Sequence, residues 1–395
     1  MQRPGFVLTL GALSAVTATA IDICIPAQPQ IARELGQDPA AGAQLVSFFL
    51  LGYGLGQLFW GPFSDRYGRL PLLYLSLTGF LIASLVCATT ESMAVLVWAR
   101  LVQGLLGGGA PVIARAIARD QGGGPETAAL ISTMTIVLGA APLVAPSLGS
   151  GLLTLTDWRG IFWFLGLFAL ALLALVVLFL RGQSPARERP RLAPYLLGAL
   201  LIFRARDFLL GTAISSTVFL GYAAFLSVGA LVAQDRYGVS PAAFGPIFAI
   251  AALAFILGSV VARQAIRRLA LDKVILIGAS LGCLAGIGLF LNADAELDLV
   301  SFWALLSGYV LGFGMLLPVA VTKALEPAGS AAGAASSLMG VIQVLCGALG
   351  AELAASALFS STYQALCIIM PVAMAAALAL ALLSLGVRKP VGARR

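Results

Sequence analysis

The chain of 395 residues contains no histidine, and only 10% of its residues are charged. The missing histidine excludes imidazole metal sites, bases and proton relays, so a carboxyl group must carry any proton inside the protein. The five cysteines lie in apolar stretches without a CxxC pair, which is typical of small core residues. A soluble protein has about 25% charged residues. The shortage of charge therefore indicates a membrane protein, and we expect no metal and no cofactor.

Twelve apolar stretches of about 20 residues can each span a membrane as an α-helix. They lie near residues 5–31, 41–62, 71–90, 94–117, 127–151, 159–181, 208–234, 241–263, 273–292, 299–322, 331–357 and 363–387. The first stretch contains Asp22 and shows no clear cleavage site, so we predict a spanning helix there and not a leader peptide. The fold class is predicted to be an all-α membrane protein.

A polar, basic segment at residues 182–207 divides the twelve stretches into two sets of six. We predict an N-terminal six-helix bundle at 1–181, a cytoplasmic linker at 182–207 with a short surface helix at 196–203, and a C-terminal six-helix bundle at 208–395. The two halves resemble each other weakly in sequence. Transporters built from two such repeats place the substrate site between the two halves.

The net charge is +7, and its distribution favours a membrane orientation. All but four of the 24 Lys and Arg fall on the side of the membrane where the chain begins and ends; the exceptions are Arg33, Arg100, Arg159 and Arg236. Under the positive-inside rule this predicts cytoplasmic termini in a bacterial inner membrane. Binding to nucleic acid is not needed to explain the basic charge.

Residues 61–69, Gly-Pro-Phe-Ser-Asp-Arg-Tyr-Gly-Arg, connect the second and third apolar stretches. Unpaired charges cannot lie in hydrocarbon, so we predict a short turn at a membrane face. A generic basic turn would explain the two arginines, but not the acid and the two glycines. After the eighth stretch, residues 262–268 keep the positive charge and lose the acid and the glycines.

The stretch at 61–69 resembles the G-x-x-[SA]-D-[RK]-x-G-[RK] signature of the major facilitator superfamily. The resemblance implies a fold of two pseudo-symmetric six-helix bundles and a charged cluster that locks the cytoplasmic side in one state. The residues implied in this gate are Gly61, Asp65, Arg66, Gly68, Arg69 and Asp120.

Three further stretches resemble signatures of the same superfamily. Residues 100–104 match R-x-x-Q-G of its fourth helix, and Ile-Asp-x-x-x-Pro at 21–26 resembles the first helix of Bcr/CflA-type drug/proton antiporters. The fifth stretch resembles G-x-x-x-G-P-x-x-G-G through Pro142, Pro146 and Gly149, although Ala145 stands where a glycine is expected. The resemblance implies antiport of drugs against protons.

Asp22 is the predicted proton carrier, because an ionisable side chain inside a membrane is costly and usually functional. Burial disfavours its charged form. Arg100 and Gln103, three residues apart on one helical face, are predicted to hold that charged form in one state. The alternatives are a solvated Asp22 near the outer interface and an Arg100 that reaches the outer surface. Glu352 is a second candidate for proton transfer.

The resemblance implies that helices 1, 4, 7 and 10 line a cavity for a neutral or cationic amphiphilic substrate. The substrate-binding candidates are Asp22, Tyr53, Tyr222, Phe225, Tyr309 and Phe313, with Phe219 and Met315 as further choices.

The predicted function is proton-coupled export of drug-like molecules, such as amphenicols or bicyclomycin, by alternating access. The alternative within transport is a metabolite such as a sugar or an amino-acid derivative, although polar side chains are few in the cavity helices. The alternative function outside transport is an intramembrane enzyme or a sensor. The acids are scattered along the sequence, however, and no nucleophile stands beside a base as an enzyme would need. We expect a monomer whose partners are a small molecule, protons and the lipid bilayer.

Overall fold

The computed structural model describes residues 4–121, 125–181, 202–295 and 297–385, and within these ranges it consists of helices and short connections. The predicted linker at 182–207 and its surface helix lie almost wholly outside the described residues. The predicted boundaries of the two bundles therefore stay predictions.

Twelve helices are long and apolar enough to cross a membrane, which confirms the predicted fold class. We number them α1 Pro4–Glu34, α2 Pro39–Tyr67, α3 Arg69–Thr89, α4 Met93–Asp120, α5 Ala129–Leu155, α6 Arg159–Phe179, α7 Arg206–Arg236, α8 Pro241–Ala265, α9 Leu271–Leu291, α10 Leu299–Ala328, α11 Ala335–Ala354 and α12 Thr362–Leu385. Every helix begins within four residues of its predicted start. Since twelve is even, the described chain begins and ends on one side, here called the terminal face; the other side is the opposite face.

Helix α1 is interrupted in the half that approaches the opposite face. It is α-helical over Pro4–Asp22, forms a 3₁₀ turn at Ile25–Ala27, and resumes as an α-helix over Gln28–Glu34. Pro26 lies in the 3₁₀ turn, and proline has no N–H with which to continue the α-helical bonds. The interruption places Asp22 at the end of a helical stretch. Two other helices are irregular: α4 consists of the α-helices Met93–Gly107 and Gly109–Asp120, and α7 ends in a π-helical turn at Val232–Arg236.

Helices α1–α6 pack on one another, as do α7–α12, so the described chain forms two six-helix halves. The halves meet along two helix pairs, α2 with α11 and α5 with α8. The ends of α1 and α2 that lie at the opposite face also contact α7. Glycine permits close approach of the halves: a Cβ on Gly245 of α8 would lie 2.6 Å from the Cα of Ser147 on α5.

The connection between α2 and α3 is shorter than predicted. Helix α2 continues to Tyr67 and α3 begins at Arg69, so only Gly68 lies between them. The prediction of a turn over 61–69 was wrong, because most of its polar residues belong to the last two turns of α2. Gly68 has φ of 98°, in the region that favours glycine, and this residue alone turns the chain.

Candidate functional site

Asp22 lies between the two halves, at the end of the first helical stretch of α1. The residue is buried, with 4% of its surface exposed, and it has no hydrogen bond or ion pair among the described residues. Its carboxyl group is within electrostatic range of Cys24 and of the Tyr222 hydroxyl on α7. The structure thus brings an acid of the first half to an aromatic residue of the second.

Arg100 is completely buried inside the N-terminal half and does not reach a membrane surface. Its Nε donates to the carbonyl of Leu45 at 3.0 Å, and its Nη1 donates to the carbonyl of Ala20 at 3.2 Å. Its guanidinium carbon lies 4.3 Å from the ring centroid of Phe49. The arginine therefore binds α1 and α2 to α4 through backbone carbonyls, and the carbonyl on α1 lies two residues before Asp22.

Gln103 extends this network within the same half. Its Oε1 accepts from Arg100 Nη1 at 2.7 Å, and its Nε2 donates to Ser84 Oγ on α3 at 2.7 Å. No ion pair joins Arg100 to Asp22 in the described part of the chain, and Arg100 Nη2 has no hydrogen-bond partner there. The three predicted proton-coupling residues are neighbours, but the guanidinium is bound to neutral oxygens.

Aromatic rings cluster in the C-terminal half around Tyr222, whose hydroxyl is within electrostatic range of Asp22. Tyr222 of α7 stacks on Phe313 of α10, with ring centroids 4.6 Å apart and planes 19° apart. The ring of Phe219 lies 6.3 Å from that of Tyr222, and the ring of Phe255 lies 5.4 Å from that of Phe313. This arrangement offers an apolar, stacked surface opposite the acid.

The other substrate-binding candidates lie in different surroundings. Tyr53 is half-buried in the N-terminal half, beside a small cavity of about 90 Å³ that Ser14 and Arg115 also line. Phe225 and Tyr309 are fully buried within the C-terminal half. Phe225 stacks on Phe248 with centroids 5.3 Å apart, and the Tyr309 hydroxyl has no hydrogen-bond partner among the described residues.

Helix α5 is continuous over Pro125–Leu155 although it contains Pro142 and Pro146. A Cβ on Gly149 would collide with the backbone of α1 at Ile23, immediately after Asp22. The helix with the antiporter-like motif therefore presses against the interruption in α1.

Polar contacts close the opposite face between the halves, and no local sequence pattern predicts them. Arg33 at the end of α1 forms an ion pair with Asp235 at the end of α7. The remaining bonds are Gln28 Nε2 to the Leu226 carbonyl (3.3 Å), Gln234 Nε2 to the Pro26 carbonyl (2.8 Å), Ser47 Oγ to Glu352 Oε2 (2.8 Å) and Ser150 Oγ to the Pro241 carbonyl (2.7 Å). The Gly245 N–H also donates to Ser150 Oγ at 3.0 Å.

Outside this seal lies a cavity of about 800 Å³, lined by both halves. Glu352, near the end of α11, lines the cavity and is exposed there. Its position differs from that of Asp22, which lies beneath the seal. Of the two acids that could carry protons, Glu352 therefore belongs to the closed contact and Asp22 lies inside it.

The predicted gate residues meet at the terminal face. Arg69 forms an ion pair with Asp65, its Nε lies 3.1 Å from Asp120 Oδ2, and its Nη1 donates to Ser64 Oγ at 2.7 Å. Gly61 contributes its carbonyl to the Ser64 hydroxyl at 2.9 Å. These contacts join the ends of α2, α3 and α4.

Two further features complete the terminal face of the N-terminal half. Arg66 is exposed, with its guanidinium carbon 5.5 Å from the ring centroid of Tyr67. A Cβ on Gly333 would lie 3.3 Å from Arg119 Nη1, so the segment before α11 lies against the end of α4. In the described ranges, no group of three or more Cys, Asp or Glu could hold a metal ion.

Comparison with known proteins places this architecture in a family. The model of the Major Facilitator Superfamily matches residues 10–351. The bicyclomycin resistance protein homolog of Haemophilus influenzae is 30% identical over 357 residues, 89% of each chain. Multidrug resistance protein D of Escherichia coli is 30% identical over 364 residues, which cover 90% of this chain and 89% of that protein.

Solved structures share the fold at low sequence identity. The peptide transporter POT in complex with sulfate has a TM-score of 0.77 at 15% identity, covering 97% of this chain and 94% of that one. The D-xylose-proton symporter has a TM-score of 0.69 at 17% identity, covering 94% and 96%. The protein is thus a multi-pass membrane transporter and not an enzyme, and it belongs to the major facilitator superfamily, where it is similar to Bcr/CflA-type drug antiporters.

Proposed function

We propose that the protein exports drug-like small molecules from bacteria in exchange for protons, by alternating access. The supporting observation is Asp22, a buried carboxyl group between the halves that has no partner among the described residues. A charge buried without a partner is costly, so the group favours protonation until water or a ligand reaches it. A substrate that stabilises the carboxylate would displace the proton, and this competition is what exchange requires.

The substrate surface in this proposal combines Asp22 with the stacked pair Tyr222 and Phe313. Stacked rings favour flat or apolar molecules, and a carboxylate favours a cation or a hydrogen-bond donor. The names of the two bacterial relatives refer to bicyclomycin and multidrug resistance. We therefore propose neutral or cationic amphiphiles, with bicyclomycin and amphenicols as the first compounds to test. Because both sides of this site come from one chain, a monomer is sufficient.

The orientation follows from the charges at the terminal face. Exposed basic residues there, including Arg66, Arg119 and Arg268, support a cytoplasmic location for this face under the positive-inside rule. The closed opposite face is then periplasmic, and both termini are cytoplasmic. A cysteine at Asp38 should react with a membrane-impermeant reagent added outside intact cells, whereas one at Arg268 should not. External labelling at Arg268 alone would reverse the orientation.

Drug resistance in a strain that lacks its own efflux pumps tests the function. Expression of the protein should raise the inhibitory concentration of at least one compound in a panel that includes bicyclomycin and amphenicols. Asp22→Asn should abolish the increase, while Asp38→Asn, a change at an exposed acid that caps the first turn of α2, should retain it. No resistance to any compound, or equal resistance with Asp22→Asn, would contradict proton-coupled drug export.

A further inference from the structure

The connection between α8 and α9 carries an exposed group of basic residues at the terminal face. Arg263, Arg267, Arg268 and Lys273 are all exposed, and they lie within eleven residues of the chain. None of the four forms an ion pair with a described residue. The nearby acid, Asp272, is already paired with the buried Lys323 of α10. This connection therefore holds uncompensated positive charge.

Apolar side chains surround that charge and are also exposed. Ile266 is 42% exposed and Leu269 is 37% exposed, and both lie among these basic residues in sequence. Leu253, Leu257 and Val261 are exposed at spacings of four residues, so they form one stripe along α8 that leads to the arginines. A surface that combines basic heads with apolar flanks suits the boundary between lipid headgroups and acyl chains.

A cavity of about 500 Å³ lies where the stripe meets the connection. Gln264, Arg267 and Arg268 provide its polar lining, and Val261 and Ala265 provide its apolar lining. Two guanidinium groups offer paired N–H donors that fit phosphate oxygens. The cavity thus has the chemistry of a phosphate site with an apolar exit along a helix.

The equivalent connection of the N-terminal half has a different chemistry. There the cation Arg69 is neutralised by Asp65 and Asp120, and the loop is reduced to Gly68. The positive-inside rule alone would place arginines in both connections. It would not explain why acids neutralise the cation in the α2–α3 connection, whereas unpaired cations surround a cavity in the α8–α9 connection.

We propose that the α8–α9 connection is a binding site for an anionic phospholipid. The phosphate headgroup binds Arg267 and Arg268, and one acyl chain lies along Leu253, Leu257 and Val261. Lipid bound there would anchor the end of α8, one of the helices through which the halves meet. This inference does not depend on the proposed transport function.

Binding of fluorescent phosphatidylglycerol to the full-length protein in phosphatidylcholine nanodiscs tests the proposal. One basic residue near an anionic surface contributes about fivefold in affinity, so Arg267→Gln/Arg268→Gln should weaken binding about 30-fold. The matched control, Arg181→Gln/Arg204→Gln, also removes two exposed cations and should leave the affinity unchanged. Melting curves of both variants establish that they are folded.

Three outcomes would overturn the proposal. Equal weakening by the two double variants would mean general attraction to basic protein. Displacement of the lipid by soluble glycerol phosphate at the same concentration would mean an anion site that needs no acyl chain. Leu257→Ser should weaken phosphatidylglycerol binding but not glycerol phosphate binding, and unchanged lipid binding would exclude the proposed acyl path.

Discussion

The two halves share one helical plan but bury different chemistry. The N-terminal half encloses the hydrogen-bonded pair Arg100 and Gln103, whereas the C-terminal half encloses stacked rings such as Phe225 and Phe248. Polar groups buried in a network require fixed partners, so they hold α1–α4 in one geometry. Aromatic rings are stabilised by the apolar surface that they bury, so their packing tolerates small displacements. The comparison suggests that proton handling belongs to the first half and substrate selection mainly to the second.

Stability measurements should show the largest difference between the halves. Arg100→Met leaves the carbonyls of Ala20 and Leu45 and the side chain of Gln103 without this donor, and a buried polar group left unsatisfied costs about 1–3 kcal/mol. Tyr309→Phe removes a buried hydroxyl that has no described partner, so it should leave stability unchanged or raise it. Thermal unfolding in detergent measures both. Equal loss of stability in the two variants would contradict the expectation that a hydrogen-bonded buried group contributes more to stability than a buried group without a partner.

Transport should change next most strongly at the terminal face. Asp65→Asn removes the ion pair with Arg69, so the balance between states shifts, and we expect bicyclomycin transport to fall about 5–150-fold. Binding of the compound should persist, because Asp65 lies at the terminal face and Asp22, on α1, lies beneath the seal at the opposite face. The matched control is Asp207→Asn in the C-terminal half, whose carboxyl is 58% exposed and 3.8 Å from Lys323; its effect should be small. Loss of binding along with transport would remove Asp65 from the gate.

The smallest effects are expected in the seal at the opposite face. Ser150 is buried and its hydroxyl bonds both Pro241 and Gly245, so Ser150→Ala should favour opening by about 1 kcal/mol. The pair Arg33 and Asp235 is 47% and 46% exposed, so Arg33→Gln should contribute only a few tenths of a kcal/mol.

The distance between spectroscopic labels measures the opening of the seal. Cysteines at Asp38 and Ser356, placed in a variant without the five native cysteines, report on opposite walls of the outer cavity. A larger shift with Arg33→Gln than with Ser150→Ala would reverse the ranking of the two contacts.

The sequence predicted the spanning helices because their apolar runs are long and separated by polar breaks. It also named Asp65 and Arg69 through a motif whose spacing is local, and Asp120 through the family resemblance, and the structure brings the three together. Only the extent of the turn was wrong. Asp65 and Arg69 are four residues apart, and this spacing lets them form an ion pair even though α2 continues almost to Arg69.

Contacts between the halves could not be predicted in the same way. Arg33 and Asp235 are about two hundred residues apart, and neither lies in a recognisable pattern. The sequence also could not predict which aromatic side chains point toward the cavity, because α7 and α10 are apolar on all sides and no polar stripe marks the cavity. Tyr222 therefore looked the same in sequence as Phe225, although the Tyr222 hydroxyl is within electrostatic range of Asp22 and Phe225 is fully buried against Phe248.

Substrate-induced proton release from detergent-purified protein tests the role of Asp22 most directly. Bicyclomycin, or a compound found in the resistance screen, should release protons from the wild-type protein in weakly buffered solution. Asp22→Asn should release none and should still bind a neutral compound, while Glu352→Gln should release as many protons as the wild type. Release that persists in Asp22→Asn and disappears in Glu352→Gln would place the proton carrier on α11 and contradict the account.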